Sequence, residues 1–216
     1  MSNISQKERG VEVKNAEKGE TKMETYALKK KGRVLAAAAG MLLVLFYFSA
    51  TAGYAASARE IDTSVNVAMD RFYKDVKGAK EFVNTAKGVL VLPGVIKAGL
   101  GIGGEYGEGE LRVGGKPVDY YNIAAASFGL QIGAEKKDIL IAFMTDEALK
   151  QFRSASGWEA GVDGNIALLT IGAGGNIDTT TIKDPVVAFV FDVKGLMADV
   201  SLKGAKFTKL DKSKDK

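Results

Sequence analysis

Gly99-Leu100-Gly101-Ile102-Gly103-Gly104 fits G-x-G-x-x-G, the spacing with which a dinucleotide fold brings backbone N–H groups to a pyrophosphate. That chemistry needs a strand before the glycines and a helix opening on the third. Here Glu105-Tyr106-Gly107-Glu108-Gly109-Glu110 follows. Further glycines start a helix poorly, and three carboxylates would repel a pyrophosphate, so the spacing is not read as a nucleotide site. The glycines suit a different role. Gly99, Gly101 and Gly103 recur with period two, with Ala98, Leu100 and Ile102 between them. Strand geometry puts the aliphatic side chains on one face and nearly bare backbone on the other. A bare face lets a backbone, a helix or a ligand come close, so these three glycines are candidates for an apolar binding face.

The carboxylates offer a second chemistry. Glu105, Glu108 and Glu110 could hold a cation or supply an acid–base pair. Nothing in the chain places another acid opposite them, and the ligand spacing of a calcium loop is absent. They read as a solvated strand end. The chain has no Cys and no His, which removes disulfides, thiolate chemistry, Cys/His zinc sites and every His-based triad. There is no Walker loop and no Gly-x-Ser-x-Gly elbow. The expectation is a non-enzymatic protein with no metal and no cofactor.

Two basic groups remain. Lys74, Lys77 and Lys80 lie beside Phe72 and Tyr73; Lys203, Lys206 and Lys209 lie near the end. Either could meet anionic headgroups, and the two aromatics could enter an interface. The basic pI of about 9.0 misleads. Of 30 Lys+Arg and 26 Asp+Glu, residues 1–58 hold nine and five, so 59–216 carries 21 of each. A neutral body has no overall excess with which to grip nucleic acid.

Local patterning supplies the scaffold for these groups. Ile61, Val65, Ala68, Met69, Phe72, Val76, Ala79, Val83 and Ala86 form a helical stripe, which Gly78 divides into Asp62–Lys77 and Ala79–Lys87. Asp62, Thr63 and Ser64 are candidate N-caps. Val89–Leu92 is a strand that Pro93-Gly94 should stop. Gly114-Gly115 marks a turn, Tyr121–Ala134 a strand, Lys136-Lys137-Asp138 another turn, and Ile139–Met144 a buried strand. Thr145 caps a helix through Phe152. Trp158–Thr170 is a strand region, with Trp158 a partly buried anchor, and Ala173–Asp184 is a loop. Val186–Val193 and Leu196–Leu202 make a hairpin that Ala205–Leu210 extends, and the charged tail after Leu210 frays. Helices first and strands in runs argue α+β: N-terminal helices and one internal helix packed on a mainly antiparallel, Gly-rich sheet or partial barrel.

Residues 1–58 read as a disordered tail plus a leader, 59–210 as the domain and 211–216 as a tail. Lys29–Arg33 is basic, Val34–Phe48 uncharged and apolar, and Ser49–Ala58 small, the three parts of a secretory signal. Ala50-x-Ala52 and Ala56-x-Ala58 are both cleavage patterns, and Met23 would give a signal of ordinary length. The uncharged residues 34–58 are also long enough to anchor in a bilayer.

The segment Ala86–Gly104, AKGVLVLPGVIKAGLGIGG, resembles the signature of the SYLF domain family. Ser127–Glu135 resembles its middle motif and Lys194–Leu202 its last, in family order over about residues 61–210. The resemblance implies phospholipid binding, and in eukaryotic members phosphoinositide and actin-assembly roles. Together with the leader it points to an exported protein of a bacterial-type periplasm or cell envelope, with a phospholipid or membrane surface as partner. An envelope protein is the alternative partner, the chain then being a structural or protein-interaction module. Actin is absent from that compartment and is not expected as a partner.

Overall fold

Ser57 opens the first helix with a capping box. Its Oγ accepts from the Glu60 N–H at 3.3 Å, and the Glu60 carboxylate accepts from the Ser57 N–H at 2.7 Å. The computed structural model describes residues 56–172, 174–177, 183–195 and 201–212, with backbone alone for 101 and 127–132. The expected leader, all but its last three residues, and most of the expected second hairpin strand lie outside the described residues.

Helix α1 is Ala58–Asp75 and α2 is Ala79–Thr85. The start falls before the expected Asp62, because Ser57 and Glu60 satisfy each other's free N–H groups. Ile61, Val65, Ala68, Met69 and Phe72 are buried, as the stripe requires. Strand β1, Gly88–Val113, and strand β2, Lys116–Phe143, form one long antiparallel hairpin. Helix α3, Asp146–Ser154, carries the expected Thr145 cap on the Ala148 N–H. Short strands β3 (Trp158–Glu159) and β4 (Ala167–Thr170) precede β5 (Val186–Gly195) and β6 (Lys206–Leu210).

Two expected breaks in the hairpin are not breaks. Pro93-Gly94 is a bulge, where pairing steps from Leu92↔Ile139 to Val95↔Lys137. Among the described strands β1 pairs with β2 alone, and an edge strand tolerates the missing proline N–H. Lys136-Lys137-Asp138 is not a turn either. Lys137 is buried, while Asp138 accepts from the Gly94 N–H at 2.8 Å and pairs with Arg71 of α1. These charges find partners inside the fold, so the strand runs on.

The far edge of β2 serves two partners. Tyr120–Ala124 pairs with β6, and Glu135–Phe143 pairs with β5. β3 joins β6, and β4 runs parallel beside β5. The result is the expected α+β fold, its mostly antiparallel sheet curled into a half-barrel. The inside holds Leu90, Leu92, Tyr121, Ile139, Ile141, Phe143 and Phe207, with Phe152 of α3 and Trp158 packed among them. The alternate residues Val89, Val91, Leu140, Ala142, Val187 and Phe189 face α1 and α2. Period two thus fills both faces of this part of the sheet.

The end of the chain also departs from expectation. β6 pairs with β2 and β3, not with β5. The tail does not fray at once: Lys212 is buried, donating to the Ala56 carbonyl at 2.7 Å and lying 3.3 Å from the Glu108 carboxylate.

Candidate interaction surface

The hairpin bends around residues 99–103 and comes back over itself. A Cβ on Gly99 would lie 2.5 Å from the Gly103 Cα, and one on Gly109 would overlap the Val91 carbonyl. The strand's own backbone therefore occupies the inner side at Gly99. Gly103 shares that contact, and for Gly101 the backbone alone is described.

The outer side of the bend is different. Ile96 is 53% exposed, Leu100 78%, Ile102 61% and Tyr106 50%. Their even spacing puts them on one face of β1, the convex one, beyond the cover of α1 and α2. Cross-strand register adds basic neighbours. Ile96 pairs with Lys136, which pairs with Lys194; Tyr106 pairs with Ala124, which pairs with Lys206. Directly paired residues share a face. An apolar apex is thereby flanked by exposed Lys136 and Lys194 at one end and exposed Lys206 at the other. Contiguous exposed apolar side chains mark contact surfaces more often than scattered ones do.

The inner side holds charge. Lys137 Nζ lies 3.3 Å from Glu105 and 3.4 Å from Glu135, all three buried, with Lys97 buried nearby. Burial pushes the Glu105 carboxyl above its ordinary value, and Lys137 opposes that shift. Glu110 is buried on the other face, where it pairs in register with Tyr120, whose hydroxyl donates to Asp62 of α1. The acids at 105 and 110 are thus not a solvated strand end. The curl takes Glu105 inside and α1 covers Glu110, neither of which local composition shows. Among the described residues no group of three or more acids is placed to hold a metal ion.

The residues singled out in the sequence are dispersed. Phe72 is buried, its ring 5.4 Å from Phe189 and 4.9 Å from Phe191, so it is not offered to any surface. Tyr73 is half-buried; Lys74, Lys77 and Lys80 are exposed. Lys203, Lys206 and Lys209 are exposed, Lys209 pairing with Asp119. Of the two triplets, Lys206 is the member in register with the apex. Trp158 is an anchor, more deeply buried than expected and 5.6 Å from the Phe152 ring. Leu100 and Ile102 stand out in the sequence as the aliphatic side of the glycine strand, but alternation does not say which side stays open.

Fold and surface together define an α+β domain with an exposed apolar apex on its long hairpin. Leu100, at the apex, is its most exposed large apolar side chain among the described residues. The family model described as Ysc84, Las17-binding protein actin regulator, matches residues 124–216. The chain thus carries a SYLF/Ysc84-type region from Ala124 in β2 onward, through α3 and β3 to β6. The match begins inside a strand, so β1 and both N-terminal helices complete the fold from outside it. No curated protein matches the chain. The expectation that excludes actin as a partner is overturned, because the matched family is described as an actin regulator.

Proposed function

We propose that this chain is a non-catalytic protein-interaction module of the actin-regulator type, which docks through the apolar apex of its long hairpin. Actin and a Las17-type protein are the partner classes that the family description supports. The observation that carries the reading is the convex pair Leu100 and Ile102, exposed and flanked by lysines, on a domain with a Ysc84-type region. Burying two such side chains contributes roughly 3 to 6 kcal/mol before the costs of association, against about 8 kcal/mol for a micromolar complex. The test is co-sedimentation of the full chain with filamentous actin, and direct binding to Las17. Binding to either at micromolar concentration is expected; no binding to either at concentrations tens of times higher contradicts the reading.

The same geometry supports a second reading. A convex apolar apex with cations at its flanks suits insertion into a phospholipid surface, each lysine near an anionic headgroup contributing about 1 kcal/mol. Export through the leader belongs with this reading, since an exported chain meets lipid and envelope proteins instead of actin. Pelleting with phosphatidylserine vesicles, in the absence of actin or Las17 binding, would favour it over the first.

A further inference from the structure

We propose that Asp62 of α1 and Glu110 of β1 share a single proton and form a pH-sensitive latch between the first turns of α1 and the curled hairpin. Glu110 is fully buried, and its Oε2 has no donor. Asp62 is within hydrogen-bonding reach once one of the two acids carries a proton. Each element packed here contributes a polar group. From β1, Arg112 pairs with Glu110 and donates to the Asn66 side-chain oxygen on α1 at 2.9 Å. From β2, the Tyr120 hydroxyl donates to Asp62 at 2.7 Å. Tyr73 of α1 lies within electrostatic reach of both Arg112 and Asp70, and Lys212 of the tail is held by Glu108.

Charge counting explains the latch. One arginine faces two carboxylates, so the group is neutral with one shared proton and carries an excess negative charge without it. Like charges in a buried site disfavour the second ionisation. The Glu110 carboxyl is pushed up to about 7, first by burial and next by Asp62, with Arg112 opposing. The folded chain keeps this proton where the unfolded chain has lost it. Stability from the latch is therefore full below the ordinary carboxylate range, falls as pH rises toward about 7, and is flat above. The loosened part is the start of α1. Further along, Phe72 is packed on Phe189 and Phe191, and Arg71 is paired with Asp138 and Asp192.

The test is amide hydrogen exchange on the full chain at pH 6 and pH 8, as protection factors for residues 61–66. A proton held to about pH 7 and released in the open state predicts about a tenfold loss of protection over that range. Glu110→Gln should abolish the loss. Equal wild-type protection at both pH values, or an undiminished loss in Glu110→Gln, would overturn the latch. Carbon-13 titration of wild-type side-chain carboxyls gives a reading independent of any variant. A midpoint near neutrality at Glu110 is expected, and a Glu110 midpoint below about 5 would also overturn it.

Discussion

Gly109 sits where β1 crosses its own earlier residues, and Gly109→Ala should destabilise the fold sharply. An added Cβ would overlap the Val91 carbonyl oxygen, approach the Val91 carbonyl carbon to 2.7 Å and the Leu92 Cα to 2.8 Å. All three are backbone atoms and none can rotate away. Leu90 and Leu92, fully buried on either side, pin that backbone in the core. Overpacking of this kind costs about 1 to 3 kcal/mol, and a rigid obstacle puts the cost at the upper end. Gly104→Ala in the same strand is the control. Its Cβ would meet nothing nearer than the Ala125 carbonyl at 3.8 Å, so a change within about 0.5 kcal/mol is expected. Urea denaturation followed by fluorescence of Trp158, the single tryptophan, gives the readout. With a slope of about 2 kcal/mol per molar, a cost of about 3 kcal/mol means that Gly109→Ala should lower the midpoint by about 1.5 M. Equal midpoints for the two variants would refute the self-crossing of β1.

Three further outcomes follow from the same geometry. Lys137→Ala should cost about 3 to 5 kcal/mol in the same denaturation assay, because Glu105 and Glu135 would remain buried without their shared cation. Ser57→Ala should cost about 1 kcal/mol by loss of the capping box, with faster amide exchange confined to the first turn of α1. If the leader is cleaved, mass spectrometry of the chain from an exporting host should find an N-terminus between Gly53 and Arg59; an intact Met1 or Met23 would count against cleavage.

The helices are legible in the sequence because one apolar stripe at helical spacing needs no tertiary information; Ile61, Val65, Ala68, Met69 and Phe72 are buried as its spacing requires. The α+β class follows from the order of helices and strands. The length of the hairpin strands is not legible. Pro93-Gly94 and Lys136-Lys137-Asp138 carry turn composition, and what overrides it is nonlocal: Asp138 holds the Gly94 N–H and Arg71, and Lys137 meets Glu105 from the other strand. The glycine pattern at 99–103 announces a close approach, but Gly99 meets Gly103 of the same strand. The basic triplets are neighbours along the chain, whereas the lysines beside the apex come from three strands. Lys136 and Lys194 become neighbours through a pairing with no local signal.

Docking through the hairpin apex is tested most directly by titrating filamentous actin with the full chain, wild type and Leu100→Ser/Ile102→Ser. Trp158 fluorescence verifies that both are folded. Both side chains are exposed, so the double variant should keep its stability within about 0.5 kcal/mol. Wild type is expected to co-sediment, and the variant to bind at least about tenfold more weakly, a loss of about 1.4 kcal/mol or more. Equal affinity of the two chains for actin would contradict docking through the apex.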